Sequence, residues 1–132
     1  MNSVIVLIGR ILLSIIFIIA GFGKLTDISG TAAYFAMYGL PGGAATAVVT
    51  GLVELLGGLA ILVGFQTRIA AWVLAIFSVA TALVAHTGWS DMNQLIHFQK
   101  NLAMAGGFLV LATYGAGALS VDARRGSTLA TA

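Results

Sequence analysis

The chain has no cysteine in its 132 residues. Disulfides, CxxC redox chemistry, iron–sulfur ligation and thiolate catalysis are therefore excluded. Proline is nearly absent as well, with Pro41 alone. Charge is scarce: Asp, Glu, Lys and Arg make up 8% of the chain, against about a quarter in soluble domains. A water-soluble globule of this size would have too little polar surface to cover itself. No basic patch is interleaved with aromatics, so nucleic acid is not a partner. The six cations against four anions give a net charge of +2. Most of the cations fall near the ends of apolar runs, where basic residues set topology.

What the chain does have is apolar length. Hydrophobic residues make up 60% of it, and the mean hydropathy is +1.07. Its solvent is the lipid bilayer. Four apolar runs stand out, at about 4–23, 43–64, 69–86 and 101–119, each 18 to 22 residues long. About 20 residues of helix cross a hydrocarbon layer of about 30 Å. Lipid offers the backbone no partners, so the runs are predicted to be helices, and strand-like alternation is absent. The fold class that follows is all-α, an integral membrane four-helix bundle forming one domain over 1–119. The first run has a charge inside it and no basic segment before it, which argues against a signal peptide.

The connections differ in kind. Residues Lys24 to Gly42 form a long loop, within which Thr31 to Tyr38 suits a short interfacial helix with an aromatic face. Phe65 to Arg68 reads as a tight turn, which makes spans two and three an antiparallel hairpin. Thr87 to Lys100 reads as a polar loop carrying Trp89, Asp91 and His97. Residues 120–132 read as a cytoplasmic tail, partly disordered at its end. An even number of spans puts both termini on one side. Arg68, Arg124 and Arg125 share that side, with Lys24 and Lys100 opposite, so the positive-inside rule places the termini in the cytoplasm of a bacterial inner membrane. A weak echo links Gly57-Gly58 and the four residues after them to Gly106-Gly107 and theirs. Either a duplicated hairpin or shared glycine packing would produce it.

Two charges lie inside the runs. An intramembrane charge costs roughly 2.5–3.5 kcal/mol at the helix centre and is usually paired or functional. Helix rise puts Arg10 roughly 9 Å and Glu54 roughly 15 Å from the same end of the bundle. The expectation is an Arg10–Glu54 ion pair between spans one and two. Such a pair can fix helix register, and Arg10 alone can instead snorkel to the headgroups. Arg10, Ser14, Phe17, Gly21 and Lys24 recur at helical spacing on one face. Glu54 shares a face with Gly51 and Gly58, whose lack of side chain lets another helix approach.

At the opposite end, topology gathers Lys24, His86, Lys100 and Asn101, with Asp91 and His97 in the adjoining loop. Lysine, histidine and amide groups round an apolar mouth suit an anionic or carbonyl-bearing small molecule, a quinone head among them. Each residue singly also suits ordinary interfacial anchoring. Two histidines on different helices do not make a metal or haem site.

The segments Gly9-Arg10 through Phe17, Ala20-Gly21-Phe22-Gly23-Lys24-Leu25 and Val53-Glu54-Leu55-Leu56-Gly57-Gly58 resemble the DoxX family of membrane proteins. Thr67-Arg68, His86 and the stretch Phe98 to Gly107 continue the pattern, from about residue 5 to 115. The resemblance implies a bacterial inner-membrane bundle. Members of the family are often labelled oxidoreductases, and DoxD-like relatives are associated with a thiosulfate:quinone oxidoreductase. A mycobacterial relative is associated with a membrane complex handling oxidative stress and thiols. Without cysteine, this chain's redox role would be quinone contact or assembly of redox-partner subunits. No self-sufficient catalytic motif is visible, so an enzymatic role would be that of an oxidoreductase subunit. The alternatives are a non-catalytic small-molecule or lipid binding or transport protein, working as a homo-oligomer if it forms a path, or an assembly scaffold.

Overall fold

The computed structural model describes residues 2–130. Its elements in chain order are α1 (Ser3–Thr26), α2 (Ile28–Met37), α3 (Gly43–Val63), α4 (Thr67–Ala85), α5 (Met92–Tyr114) and α6 (Val121–Ala130). The four long helices α1, α3, α4 and α5 are each long and apolar enough to cross a membrane. Their outer faces carry the large apolar side chains, with Ile5, Leu12, Ile19, Leu56, Ile76 and Val110 all exposed. Lipid is the medium that tolerates that surface.

Local sequence explains the boundaries. The Asn2 side chain accepts from the Val4 and Ile5 amides and starts α1. Asp27 ends α1 and caps α2 through the Gly30 amide at 2.9 Å. Gly64 closes α3 in the left-handed region, φ 71°, where glycine has no Cβ penalty. Asp91 caps α5 through the Asn93 amide at 2.9 Å.

That last cap corrects the sequence reading. The stretch 92–100 is the first turns of α5, not a loop, so His97 and Lys100 sit on a helix that begins well before Asn101. Polar residues there are helical because Asp91 starts the helix, and hydropathy sees only the apolar portion. The helix also stops earlier, at Tyr114, where Gly115 (φ 83°) and Gly117 (φ 75°) turn the chain back. The segment expected as a tail forms α6 instead. The disorder expected of the last few residues falls in part on 131 and 132, which lie outside the described residues.

The helices pack as two antiparallel pairs, α1 with α3 and α4 with α5. The tight turn does make α3 and α4 sequential neighbours, but their contact is slighter, and α1 meets α5 only briefly. Glycine sets the close approach of the first pair. A Cβ on Gly21 would collide with the backbone amide of Leu55 and lie 2.7 Å from the Gly51 carbonyl. Small residues at that crossing let two backbones touch.

Both described ends of the chain lie at one end of the bundle, with the α3–α4 turn: the Asp122 amide donates to the Gly64 carbonyl at 2.9 Å. We call this the near end. The near half is solid, filled by Ile61, Leu74, Phe108, Leu111 and Phe17. Phe17 and Phe108 meet edge-on at 5.3 Å between centroids. The far half is hollow.

Candidate functional site

The hollow is a cavity of about 740 Å³ between the two helix pairs, roofed by α2 and open at the far end. The lower halves of its walls are apolar, from Ile16, Phe17, Phe77 and Met104. The four residues Lys24, His86, Lys100 and Asn101 all line it. They arrive from the end of α1, the cap of α4 and the third turn of α5. Glu54 lines it as well, on the α3 wall.

Glu54 is not paired with Arg10. Its Oε2 accepts from Lys24 Nζ at 2.6 Å, and the carboxylate is buried, with Glu54 7% exposed. The reason lies in register. In the α1–α3 pair, Phe17 and Ile18 face Gly58, and Gly21 faces Gly51 and Leu55. Continued along the helices, this register sets Arg10 against Gly64. Glu54 is ten residues from that level, about 15 Å of helix rise. Lys24, on the same face of α1, reaches back to Glu54 instead.

Arg10 serves the near end. It is 1% exposed. One terminal nitrogen donates to the Ala116 carbonyl at 2.8 Å. The other donates to Leu62 at 3.1 Å and Leu119 at 2.9 Å. Leu62 belongs to the last turn of α3, whose carbonyls lack helical partners and carry negative partial charge. A guanidinium satisfies several such oxygens at once. Asp122 does the complementary job for α4. Its carboxylate accepts from the Gln66 amide at 2.8 Å and the Thr67 amide at 2.9 Å. Gln66 sits in the left-handed region and offers no side-chain cap of its own. The Arg125 guanidinium rests over the Phe65 ring at 5.3 Å. The near end is thus a clasp in which the C-terminal segment holds both sides of the α3–α4 turn.

Hydrogen bonding orients the far-end groups. His86 Nδ1 lies 2.9 Å from Gln94 Oε1. With that oxygen accepting, the neutral ring carries its proton on Nδ1 and keeps Nε2 free to accept. Gln94 Nε2 in turn donates to the Tyr38 hydroxyl at 3.4 Å. His97 stacks on His86 at 5.1 Å between centroids. The Asn101 amide donates to the His97 carbonyl at 2.9 Å. Among the described residues Lys100 has no ion pair, and Asp27 also lines the cavity. No three His, Asp or Glu side chains among the described residues stand close enough to hold a metal ion.

Two groups outside the spans are shifted from their ordinary values. Burial works against the Asp122 carboxylate, but the Thr67 and Gln66 amides and the Arg125 charge outweigh it and hold its pKa below the usual value. The Tyr34 phenol is raised, first by its hydrogen bond with Tyr38 and then by burial.

Residues that the sequence did not single out also contribute. Thr46 and Thr50 line the cavity on the face that carries Glu54, and their spacing of four residues was a readable signal. Tyr34 and Tyr38 line its roof, as the aromatic face of residues 31–38 suggested. Asp122 and Gly64 gave no signal, because their partners lie far off in sequence.

The sequence profile of the DoxX family matches residues 5–87. The chain belongs to the DoxX family. Among curated proteins it is 45% identical to the inner membrane protein YqjF of Escherichia coli over 117 residues, 89% of this chain and 88% of that one. It is 38% identical to the inner membrane protein YphA of the same organism over 129 residues, 93% of this chain and 91% of that one. No solved structure matches it. This DoxX member is therefore a small multi-pass protein of the cytoplasmic membrane. Both alignments are too long to end at residue 87, so the likeness continues into the region of Lys100 and Asn101.

Proposed function

We propose that this DoxX member is a membrane subunit that binds the head of a quinone, or of a like carbonyl-bearing amphiphile, and presents it to a redox partner. The observation that carries the reading is the convergence of Lys24, His86, Lys100 and Asn101 on one cavity of about 740 Å³. Sites for small molecules are mostly apolar with a few convergent polar groups, and their volumes run about 300–1,000 Å³. A quinone head needs a flat apolar slot and donors for two ring oxygens. Phe17, Phe77 and Met104 supply apolar wall, and Lys100, Asn101 and His97 supply N–H groups at the mouth. Reduction by two electrons takes up two protons, which would reach the head from solvent at the open mouth by way of His86 Nε2, an acceptor when Nδ1–H is held by Gln94. Electrons come from the partner, since the chain has no redox group of its own.

The test is a titration of purified protein in nanodiscs with a short-chain quinone, followed by quenching of protein fluorescence. His86→Ala and Lys100→Ala each remove one donor or acceptor and are expected to weaken binding roughly tenfold. Wild-type affinity in both variants would remove the site. Binding that persists without any partner-dependent turnover would favour the non-catalytic reading.

A further inference from the structure

A second concavity lies outside the bundle, at the opposite end from the ligand cavity. It is a groove of about 220 Å³ between α1 and α5, lined by Val6, Gly9, Leu13, Gly107, Val110 and Leu111 and bordered by Arg10, Tyr114 and Gly115. It exists because α1 packs on α3 and α5 on α4, leaving the α1–α5 seam barely closed. Its floor at Gly9 is empty: a Cβ there would meet nothing within 4 Å. The wall is apolar along its length, as an acyl chain requires.

The near-end rim of the groove is cationic. Gly115 brings the chain against Arg68: a Cβ on Gly115 would lie 3.7 Å from the guanidinium nitrogens. Arg68 is exposed, and among the described residues it makes no hydrogen bond or ion pair. Beside it Tyr114 is 67% exposed, its hydroxyl free to donate. Arg10 is bonded to three neutral carbonyls, so no contacting carboxylate cancels its charge. Asp122, the one acidic side chain at this end among the described residues, is occupied in capping α4. The rim lies where α1 begins and α5 ends, which is the depth of the phosphates in a bilayer.

The geometry points to a phospholipid site: one acyl chain in the α1–α5 groove, with the phosphodiester of an anionic headgroup on Arg68 and Tyr114. The charge and the shape each restrict the occupant. A free phosphate ion would use the arginine and leave the groove empty. A neutral hydrocarbon would use the groove and leave Arg68 unpaired. A molecule with both parts in that order satisfies the two together, and a net negative head suits an end with several arginines and one engaged carboxylate. This site is separate from the ligand cavity and does not depend on its occupant.

The test is native mass spectrometry of protein extracted in mild detergent and given phosphatidylglycerol and phosphatidylcholine in equal amounts. The wild type is expected to retain phosphatidylglycerol in preference. Arg68→Gln should cut that preference about fivefold, as expected for one arginine at a charged membrane surface. Gly9→Leu places its Cβ in open space and its longer side chain in the floor of the groove, and it should lower retention of both lipids while leaving the melting temperature unchanged. Equal retention of the two lipids by the wild type would overturn the proposal. So would wild-type retention in both Arg68→Gln and Gly9→Leu. Displacement of the bound lipid by millimolar inorganic phosphate would overturn it too, by showing that only the anion is held.

Discussion

The partner exchange between the two intramembrane charges makes a quantitative prediction. Glu54 is bonded to Lys24 at 2.6 Å, and Arg10 is bonded to carbonyls. Two double-mutant cycles separate this arrangement from an Arg10–Glu54 pair. The first uses Lys24→Met and Glu54→Leu, the second Arg10→Met and Glu54→Leu. Removing one member of a buried pair costs about 3–5 kcal/mol, because the other charge is left buried alone. The Lys24 side chain is 21% exposed, so the low end, about 3 kcal/mol, applies to each single change. Replacing both members costs far less than the sum, which gives a coupling of about 2–3 kcal/mol. Arg10→Met strands three carbonyls. Each stranded buried acceptor costs about 1–3 kcal/mol. Only the bond to Ala116 is fully buried, so the expected loss is about 3–5 kcal/mol. Arg10 and Glu54 sit about 15 Å apart along the axis, and their effects should add to within about 0.5 kcal/mol. Reversible unfolding in mixed micelles, read by circular dichroism, gives all the values. Coupling above about 1 kcal/mol between Arg10 and Glu54, with none between Lys24 and Glu54, would refute the register described here.

Three further outcomes are expected. Gly21→Ala forces a methyl group onto the backbone of α3 and should cost about 1–3 kcal/mol as overpacking, measured in the same micelles; a neutral result would mean that the helices do not touch there. Asp122→Asn should loosen α6 and speed its removal by limited proteolysis. Because the folded pKa of Asp122 lies below its ordinary value, its contribution is present above that ordinary value and disappears as pH falls through the folded one, so the wild type should acquire the variant's protease sensitivity only in acid. A fluorescent protein fused after residue 132 should be bright in the cytoplasm, since the near end carries Arg10, Arg68, Arg124 and Arg125; a dark fusion with a periplasm-active reporter would reverse the orientation.

The fold was legible because hydropathy acts on every residue of a span. Lipid admits only helices there, so length and apolarity were enough to find four of them. What hydropathy misses is a helix that continues through polar residues. Met92 to Lys100 required reading Asp91 as a cap. The far-end cluster was legible because topology alone brings Lys24, His86, Lys100 and Asn101 to one face of the membrane. The partner of Glu54 was not, because depth measured from span ends carries an error of several residues. A slip of seven residues, two helical turns, moves a charge by about 10 Å. The register was set by Gly21 against Gly51, a contact whose residues were visible but whose alignment was not. The Asp122 cap of α4 joins positions 55 residues apart, and no local pattern encodes such a bond.

The near-end clasp has a consequence for how the protein is made. Two of the three acceptors of Arg10, at Ala116 and Leu119, belong to the segment after the fourth span and leave the ribosome later than all four spans. The cap of α4, Asp122, belongs to it too. Until those residues emerge, Arg10 rests in the bilayer with at most the Leu62 carbonyl, and α4 begins without a cap. The four spans can therefore be inserted before they are committed to each other. The order of translation makes the segment after the fourth span the step that turns a set of inserted helices into one assembled bundle.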